Sequence, residues 1–589
     1  MSDITELAKV VAVGPDSIEI EITSTDEYEQ LDEKLQIGSY VQISDGEGAE
    51  NKLIAVVESF RVKDSLGNED GEKITLPRFV LSLQPVGRLE GGEFKRGGQQ
   101  ITIPPKLVEI ASGDLLSKIY SSVPEGKAFT FGNLAQEQSV KVNLDGDRFF
   151  SKHIGVVGST GSGKSSTVSA ILQEGIRQSD EQRGRGVLNN SHIIIFDLHG
   201  EYASAFPEAR VLGAEQIKLP YWLMNSEELE EMFIESNEQN SHNQVSQFRN
   251  AVIENKKTCN PELPEERVSY DSPVYFSLTQ VFNYLSNLNN EVISKIPSDG
   301  LPKLVDGTLV QDRSEHYFEK IHHFVEASTA KADKASGGPF SGEFNRFLMR
   351  LDARQNDKRL DFLLKPKSES GNEFKSEDLQ AVLEQFLGYG DNRTNVTILD
   401  LSGIPFEVLS IVVSLVTRLV FTFSFHFKKL HRGDTAEVPF LLVLEEAHNY
   451  ISRSDGAKYN SVRKAVERVA KEGRKYGISL MIVSQRPSEI SETVFSQCNN
   501  FVAMRLTNPA DQNYVRRLLP DNVGALTDSL ASLEQREALV LGDAVALPSL
   551  IKVTEISNLP ASSDVAFRTE WQKDWFAQAF NGVIEKWRD

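Results

Sequence analysis

The sequence predicts an α/β protein, a doubly wound core preceded by a small all-β domain and interrupted by a helical insertion. Three observations carry this. The glycine-rich loop Gly158-Ser159-Thr160-Gly161-Ser162-Gly163-Lys164-Ser165 stands between an apolar run, Ile154 to Val157, and a helical stripe of Val168, Ile171, Leu172 and Ile176. Further apolar runs end in acids or amides and are separated by helical stretches, the pattern of parallel strands alternating with helices. The first 95 residues instead alternate polar and apolar between turns, with no long helix, as a small barrel does.

In that first segment Val10 to Val13 precedes a Gly14-Pro15-Asp16 turn, and Ser17 to Ile22 alternates as a half-buried strand. Gly38 to Ile43, Leu53 to Val62 and Phe79 to Leu83 continue the pattern. Pro85 to Pro105 is rich in Gly and Pro and reads as a linker. The expected division is a barrel over 1–95, a core in two parts over 96–220 and 391–560, a helical insertion over 221–390 and a C-terminal helix over 561–589.

The loop fits the pattern in which backbone amides cradle phosphates, a lysine reaches the outer phosphates and a hydroxyl ligates magnesium. Gly158, Ser159, Thr160, Gly161, Ser162, Gly163, Lys164, Ser165 and Ser166 form the candidate nucleotide-binding set. The strand His192 to Asp197 delivers Asp197 and, just beyond, Glu201, which could organise water or magnesium or be loop acids only. Phe440 to Leu444 runs directly into Glu445-Glu446. A strand delivering two carboxylates suits magnesium support by Glu445, with Ser165, and polarisation of the attacking water by Glu446. The first acid in such sites is usually Asp, so Glu445 adds a methylene of reach. Ile478 to Ser484 leads into Gln485, an amide that can hydrogen-bond the γ-phosphate or the attacking water and report nucleotide state to Arg486-Pro487-Ser488. Ser461 to Tyr476 is a basic helix; Arg474 on it is either part of a charged outer face or a finger reaching a neighbouring subunit's γ-phosphate.

Composition narrows the class. The length suggests about three or four domains. Cys259 and Cys498 cannot make a disulfide framework, which suits a reducing cytoplasm. Met1 to Glu6 lacks the basic and apolar regions of a secretory signal. The net charge of −22 argues against broad nonspecific coating of nucleic acid, leaving room for contacts confined to a few basic loops. Val408 to Phe427 imitates a membrane span but carries Ser410, Ser414, Thr417, Arg418, Thr422, Ser424 and His426. A buried core helix, and no membrane, is the expectation.

Within the insertion, Ser277 to Gln280 resembles a capping box. His316, His322 and His323 have no Cys nearby and no acid at a telling spacing, and read as solvated or packed. Gln182 to Gly186 is a basic loop, either a solvated turn or a channel contact. At the C-terminus Phe567, Trp571, Trp575, Ala579, Val583 and Trp587 form a stripe on one long amphipathic helix. It packs on its own domain or docks on a neighbour.

Taken in order, the segments Lys152 through Ser165, Asp197-Leu198-His199-Gly200-Glu201-Tyr202, Glu445-Glu446-Ala447-His448-Asn449-Tyr450, and Ala470 through Ser488 resemble the HerA family of hexameric DNA translocases. Leu198, where many relatives have Pro, and Glu445 for Asp are departures. The resemblance implies a RecA-like ATPase core using ATP and Mg2+, and a homohexamer with nucleotide sites between subunits and double-stranded DNA in its pore. It implies that the barrel and the C-terminal segment hold the ring together, and it adds Lys152 to the candidate site. It also implies an effector partner, a nuclease or a sirtuin-like NAD hydrolase, with an antiphage setting as one possibility. A scaffold that uses ATP to license such an effector is the alternative to a motor.

Overall fold

A computed structural model describes residues 8–14, 17–22, 35–44, 51–69, 72–91, 93–97, 107–177, 188–234, 241–295, 300–331, 333–368, 371–431, 437–453, 460–518, 524–562, 565–575 and 580–588. The basic loop at 182–186 and the first turn residues Pro15 and Asp16 lie outside them.

The N-terminal strands are β1 (Ala8–Val13), β2 (Ile18–Ile22), β3 (Tyr40–Ser44), β4 (Lys52–Glu69), β5 (Glu72–Glu90), β6 (Glu93–Arg96) and β7 (Leu107–Ile110). Their order is β2-β1-β7-β3-β4-β5-β6, and β2 also pairs with β5, so six strands close into a barrel with β6 outside. The alternation in β2 does what it predicts: Ile18, Ile20 and Ile22 are buried while Glu19 and Glu21 are half-exposed. The stretch read as a linker contains structure. β5 runs on through Pro85 to Glu90, turns into β6, and β7 closes the barrel beyond residue 106, pairing with β1 and β3. Gly and Pro here mark a hairpin and the approach to a closing strand, not an exit from the domain.

The core strands are β8 (Gly132–Leu134), β9 (His153–Val157), β10 (His192–Asp197), β11 (Arg210–Leu212), β12 (Val396–Asp400), β13 (Phe440–Leu444), β14 (Ile478–Ser484), β15 (Cys498–Ala503), β16 (Glu537–Gly542) and β17 (Ser549–Val553). They form one ten-stranded sheet ordered β11-β12-β10-β13-β14-β9-β15-β16-β17-β8. β11 to β15 in that order are parallel. β16, β17 and β8 are antiparallel additions, where the sequence pattern suggested continued parallel strands. For the β16–β17 pair the reason is loop length: Asp543 to Pro548 is too short for a crossover.

Between β11 and β12 the chain leaves the sheet for the helical insertion, whose longer helices are Ser226–Phe233, Ser241–Cys259, Leu278–Asn290, Asn345–Gln355 and Leu379–Leu387. Ser277 does accept from the Gln280 amide, but Gln280 Oε1 accepts from Asn255 Nδ2, so only half of the predicted box forms. His316 and His322 are satisfied by backbone carbonyls. The apolar stretch is the helix Phe406–Leu430; 78% of its most apolar window is buried inside the protein. The C-terminal stripe is divided. Two helices, Phe567–Trp571 and Phe580–Arg588, replace the single predicted one, and Gln572 to Trp575 are not helical. Its aromatics find no partner face within the described chain, and a helix without tertiary packing is marginal at this length.

Candidate active site

The phosphate loop leaves β9 and enters the helix Lys164–Ile176. Gly161 at φ 74° and Gly163 at φ 93° take left-handed turns that a side chain would strain. No side chain caps the helix start, so its amides stay open to an anion. Lys164 Nζ folds back to donate to Ser159 O at 3.3 Å. Burial lowers the Lys164 pKa, against the pull of Glu446, Glu445 and Glu201. Ser165 Oγ donates to Glu201 Oε2 at 2.9 Å.

Parallel pairing sets the rest. β14 lies between β9 and β13, so Gln485 emerges between the loop and Glu446, at the carboxyl edge where such sheets bind ligands. Thr160 Oγ1 donates to Gln485 Oε1, and Gln485 Nε2 donates to Glu446 Oε1. Glu446 holds a left-handed backbone, φ 44°. Its other oxygen, Oε2, is buried without a hydrogen-bond partner. His448 Nδ1 stands 3.3 Å from it and 3.2 Å from Ser484 Oγ, and burial lowers the His448 pKa against the pull of Glu446.

Asp197 is fully buried and accepts from the amides of His199 at 3.2 Å, Gly200 at 2.9 Å and Tyr202 at 2.9 Å. It shapes the turn that carries Glu201. Glu445 Oε2 accepts from the Leu198 amide at 3.3 Å. Burial first, and then the adjacent Asp197, push the Glu445 carboxyl up to about 9.

Ser165, Glu201 and Glu445 offer hard oxygens suited to magnesium. Among the described residues no three His, Cys, Asp or Glu side chains are grouped to hold a metal unaided. That fits an ion that keeps its waters and binds through one or two protein oxygens plus substrate phosphates. The neighbouring carboxylates, which add to burial in lifting Glu445, are the negative charge such a cation offsets.

Lys152 and Arg474 do not join this cluster. Lys152 precedes β9 and pairs with Asp543, and Arg474 is exposed in the turn before β14. Both stand at the amino edge of the sheet, a strand length of about 17 Å from their own loop. Two contributors escaped the sequence reading. His448 lay inside a quoted motif without a role. Arg536, whose amide donates to Ser162 O at 3.0 Å, carried no local signal at all.

Residues 129–420 match the family model described as Helicase HerA, central domain. The chain belongs to the HerA helicase family. Its HerA relatives include the probable DNA double-strand break repair helicase HerA of Methanocaldococcus jannaschii, 23% identical over 92% of this chain and 96% of that protein. The DNA double-strand break repair helicase HerA of Sulfolobus acidocaldarius is 24% identical over 82% of this chain and 79% of that protein. Among solved structures, VirB4 of Thermoanaerobacter pseudethanolicus aligns with TM-score 0.44 at 13% identity, covering 74% of this chain and 98% of that one. Plasmid coupling protein TrwB in complex with ADP and Mg2+ aligns with TM-score 0.42 at 15% identity, covering 77% and 94%. As a HerA-family member with this loop, the chain is an ATP hydrolase.

Proposed function

We propose that this protein is a ring-forming, ATP-driven translocase on double-stranded DNA that works with a partner effector, a nuclease or NAD hydrolase. One observation carries the reading. The bonded series Thr160–Gln485–Glu446 joins the phosphate loop to a buried carboxylate with one oxygen unpaired. The loop amides from Gly158 to Ser166 and Lys164 hold the β- and γ-phosphates. Bound magnesium, held by Ser165 and Glu445 with Glu201 close by, supplies charge neutralisation at the phosphoryl group. Glu446 Oε2 accepts a hydrogen bond from the attacking water and takes its proton. Gln485 fixes the carboxylate and, through Thr160, senses whether the loop is occupied. Arg474, exposed at the opposite edge of the sheet, serves a neighbour's site in this reading, as a ring with shared sites requires, whereas Lys152 pairs with Asp543. The relatives named as DNA helicases support duplex DNA as the track.

The test is ATP turnover with and without long duplex DNA. Glu446→Gln is expected to lower turnover by about 10²–10⁴-fold while retaining nucleotide binding. Turnover at the wild-type rate in that variant refutes the assignment of the base.

A second reading, favoured by the exposed C-terminal aromatics and the acidic balance, is an ATP-regulated scaffold for the effector. There Lys164→Ala leaves the complex assembled but the effector silent, and the wild-type complex does not move along DNA.

A further inference from the structure

Only two non-glycine residues among those described hold a left-handed backbone. One is Glu446, the base proposed above. The other is Arg536, φ 67°. Such conformations cost on the order of 1–3 kcal/mol and gather at functional sites. Arg536 precedes β16, and its backbone ties two elements together. Its amide donates to Ser162 O at 3.0 Å, inside the phosphate loop, and its carbonyl accepts from the Val553 amide at 2.9 Å.

The side chain lies along the loop. Arg536 Cγ stands 3.1 Å from where a Cβ on Gly163 would be, a contact that Arg536 would have to relieve by shifting, on top of the strain that φ 93° imposes. The guanidinium ends at Glu555, Nη1 to Oε1 at 3.2 Å, with Arg536 27% exposed and Glu555 88% exposed. An ion pair to so open a carboxylate contributes little. It does not account for a strained backbone that lays the stem of a cationic side chain along a phosphate-binding loop.

We propose that Arg536 is a further nucleotide-binding cation, whose guanidinium leaves Glu555 to bind the phosphates of a nucleoside triphosphate on the Gly163 side of the loop. This rests on the reading of the loop as the ATP site. A guanidinium suits this role because it is permanently charged and presents a planar fork of donors that matches phosphate oxygens. Glu555 is its partner in the empty protein and its competitor on binding. Glu555 belongs to the segment after β17, which continues across the site. Asn558 O accepts from Gln173 Nε2 on the loop's helix, at 2.9 Å. Leu559 O accepts from Ser204 Oγ at 2.8 Å, and the Ala561 amide donates to Glu201 O at 2.9 Å. Release of Glu555 therefore loosens one tie of a segment that touches the loop, its helix and the Glu201 turn, and that leads to the exposed C-terminal aromatics.

The experiment is equilibrium binding of a fluorescent ATP analogue with magnesium to the full chain and its variants. Arg536→Gly suits the left-handed backbone and removes the guanidinium together with its stem, and relief of the backbone strain is expected to keep its melting temperature near that of wild type. Its affinity is expected to fall about tenfold, the equivalent of one charge-assisted contact, with Arg536→Lys in between. Glu555→Gln removes the competitor and is expected to tighten binding. Wild-type affinity in Arg536→Gly overturns the proposal. So does a loss shared by Glu555→Gln, because the ion pair itself would then be the cause. Lys164→Ala separates the two readings: if it binds as wild type does, the reading of the loop as the ATP site fails and the proposal falls with it, whereas lost binding in Lys164→Ala with wild-type affinity in Arg536→Gly overturns the role of Arg536 alone.

Discussion

His153 opens the strand that delivers the phosphate loop, and both nitrogens of its ring are committed. The Leu480 amide donates to Nδ1 at 3.0 Å, and Nε2 donates to the carbonyl of Ala470 at 2.9 Å. It thus ties β9 to β14 and to the basic helix Asn460–Glu472. Burial pushes its pKa down to about 4, against ~6.5 in an unfolded chain. The folded state excludes a proton that the unfolded state binds. The stabilisation is therefore complete above ~6.5 and is lost as the pH falls from there through about 4, by an order-of-magnitude ~3 kcal/mol. His153→Gln keeps one donor and one acceptor without titrating. Its melting temperature is expected to fall less steeply than that of wild type between pH 6.5 and 4; parallel curves would show that His153 does not carry this dependence. Nothing in the sequence marked His153, because its partners are hundreds of residues away. Ser165, Glu446 and Gln485 were legible for the opposite reason. Each sits within a residue or two of a strand end or in a glycine pattern, so local order placed it on the carboxyl edge. Arg536 had no such cue; only the packed sheet brings it to Ser162.

At the scale of elements, the helix Phe406–Leu430 explains its own odd composition. Ser410 Oγ donates to Glu231, Ser414 Oγ donates to Glu228 Oε1 at 2.8 Å, and Arg418 Nη2 donates to Glu228 Oε2 at 2.8 Å. Glu228 is itself in a capping box with Asn225 at the start of Ser226–Phe233. The polar positions that argued against a membrane span are the seam between core and insertion. Breaking that pair from one side leaves a charge with no counterion in a site where the Glu228 side chain is fully buried. Arg418→Met is expected to cost about 3–5 kcal/mol. Adding Glu228→Gln, which keeps the cap and removes the charge, should recover part of that loss. The urea midpoint of the first unfolding transition measures both, and strict additivity of the two single changes would rule out the coupling. The strands of the core were readable from apolar runs of the right length. Their order was not, because Gln485 reaches its place only through pairing of β14 with both β9 and β13. β7 and β8, at four and three residues, are too short to show a period. The capping box that does form, at Asn225 and Glu228, lay in a charged stretch that hid it.

The whole molecule leaves its last segment uncovered. Phe567, Trp571, Trp575, Phe580 and Trp587 are all exposed, Trp575 at 99%. Five aromatics at roughly 150–250 Å² each amount to about 750–1,250 Å², near the ~800 Å² that one partner contributes to a stable interface. A chain with net charge −22 has no electrostatic reason to associate with its own copies. Apolar burial has to supply the attraction, and salt should strengthen assembly by screening the repulsion. Three of the four tryptophans lie in this segment, and the fourth, Trp222, is buried in the insertion. Emission thus reports almost solely on whether the segment is covered. In a ring closed through this surface, the emission maximum is expected to shift to the red on dilution, in step with loss of the large species in sedimentation. The transition should move to lower protein concentration as salt rises. A chain ending at Ser562, which keeps the Ala561 tie to Glu201, should remain folded, hold nucleotide and stay small at every concentration. Assembly of that shortened chain into the same species, or emission that ignores dilution while the complex dissociates, would mean that self-assembly uses another face and would leave these aromatics for the proposed effector.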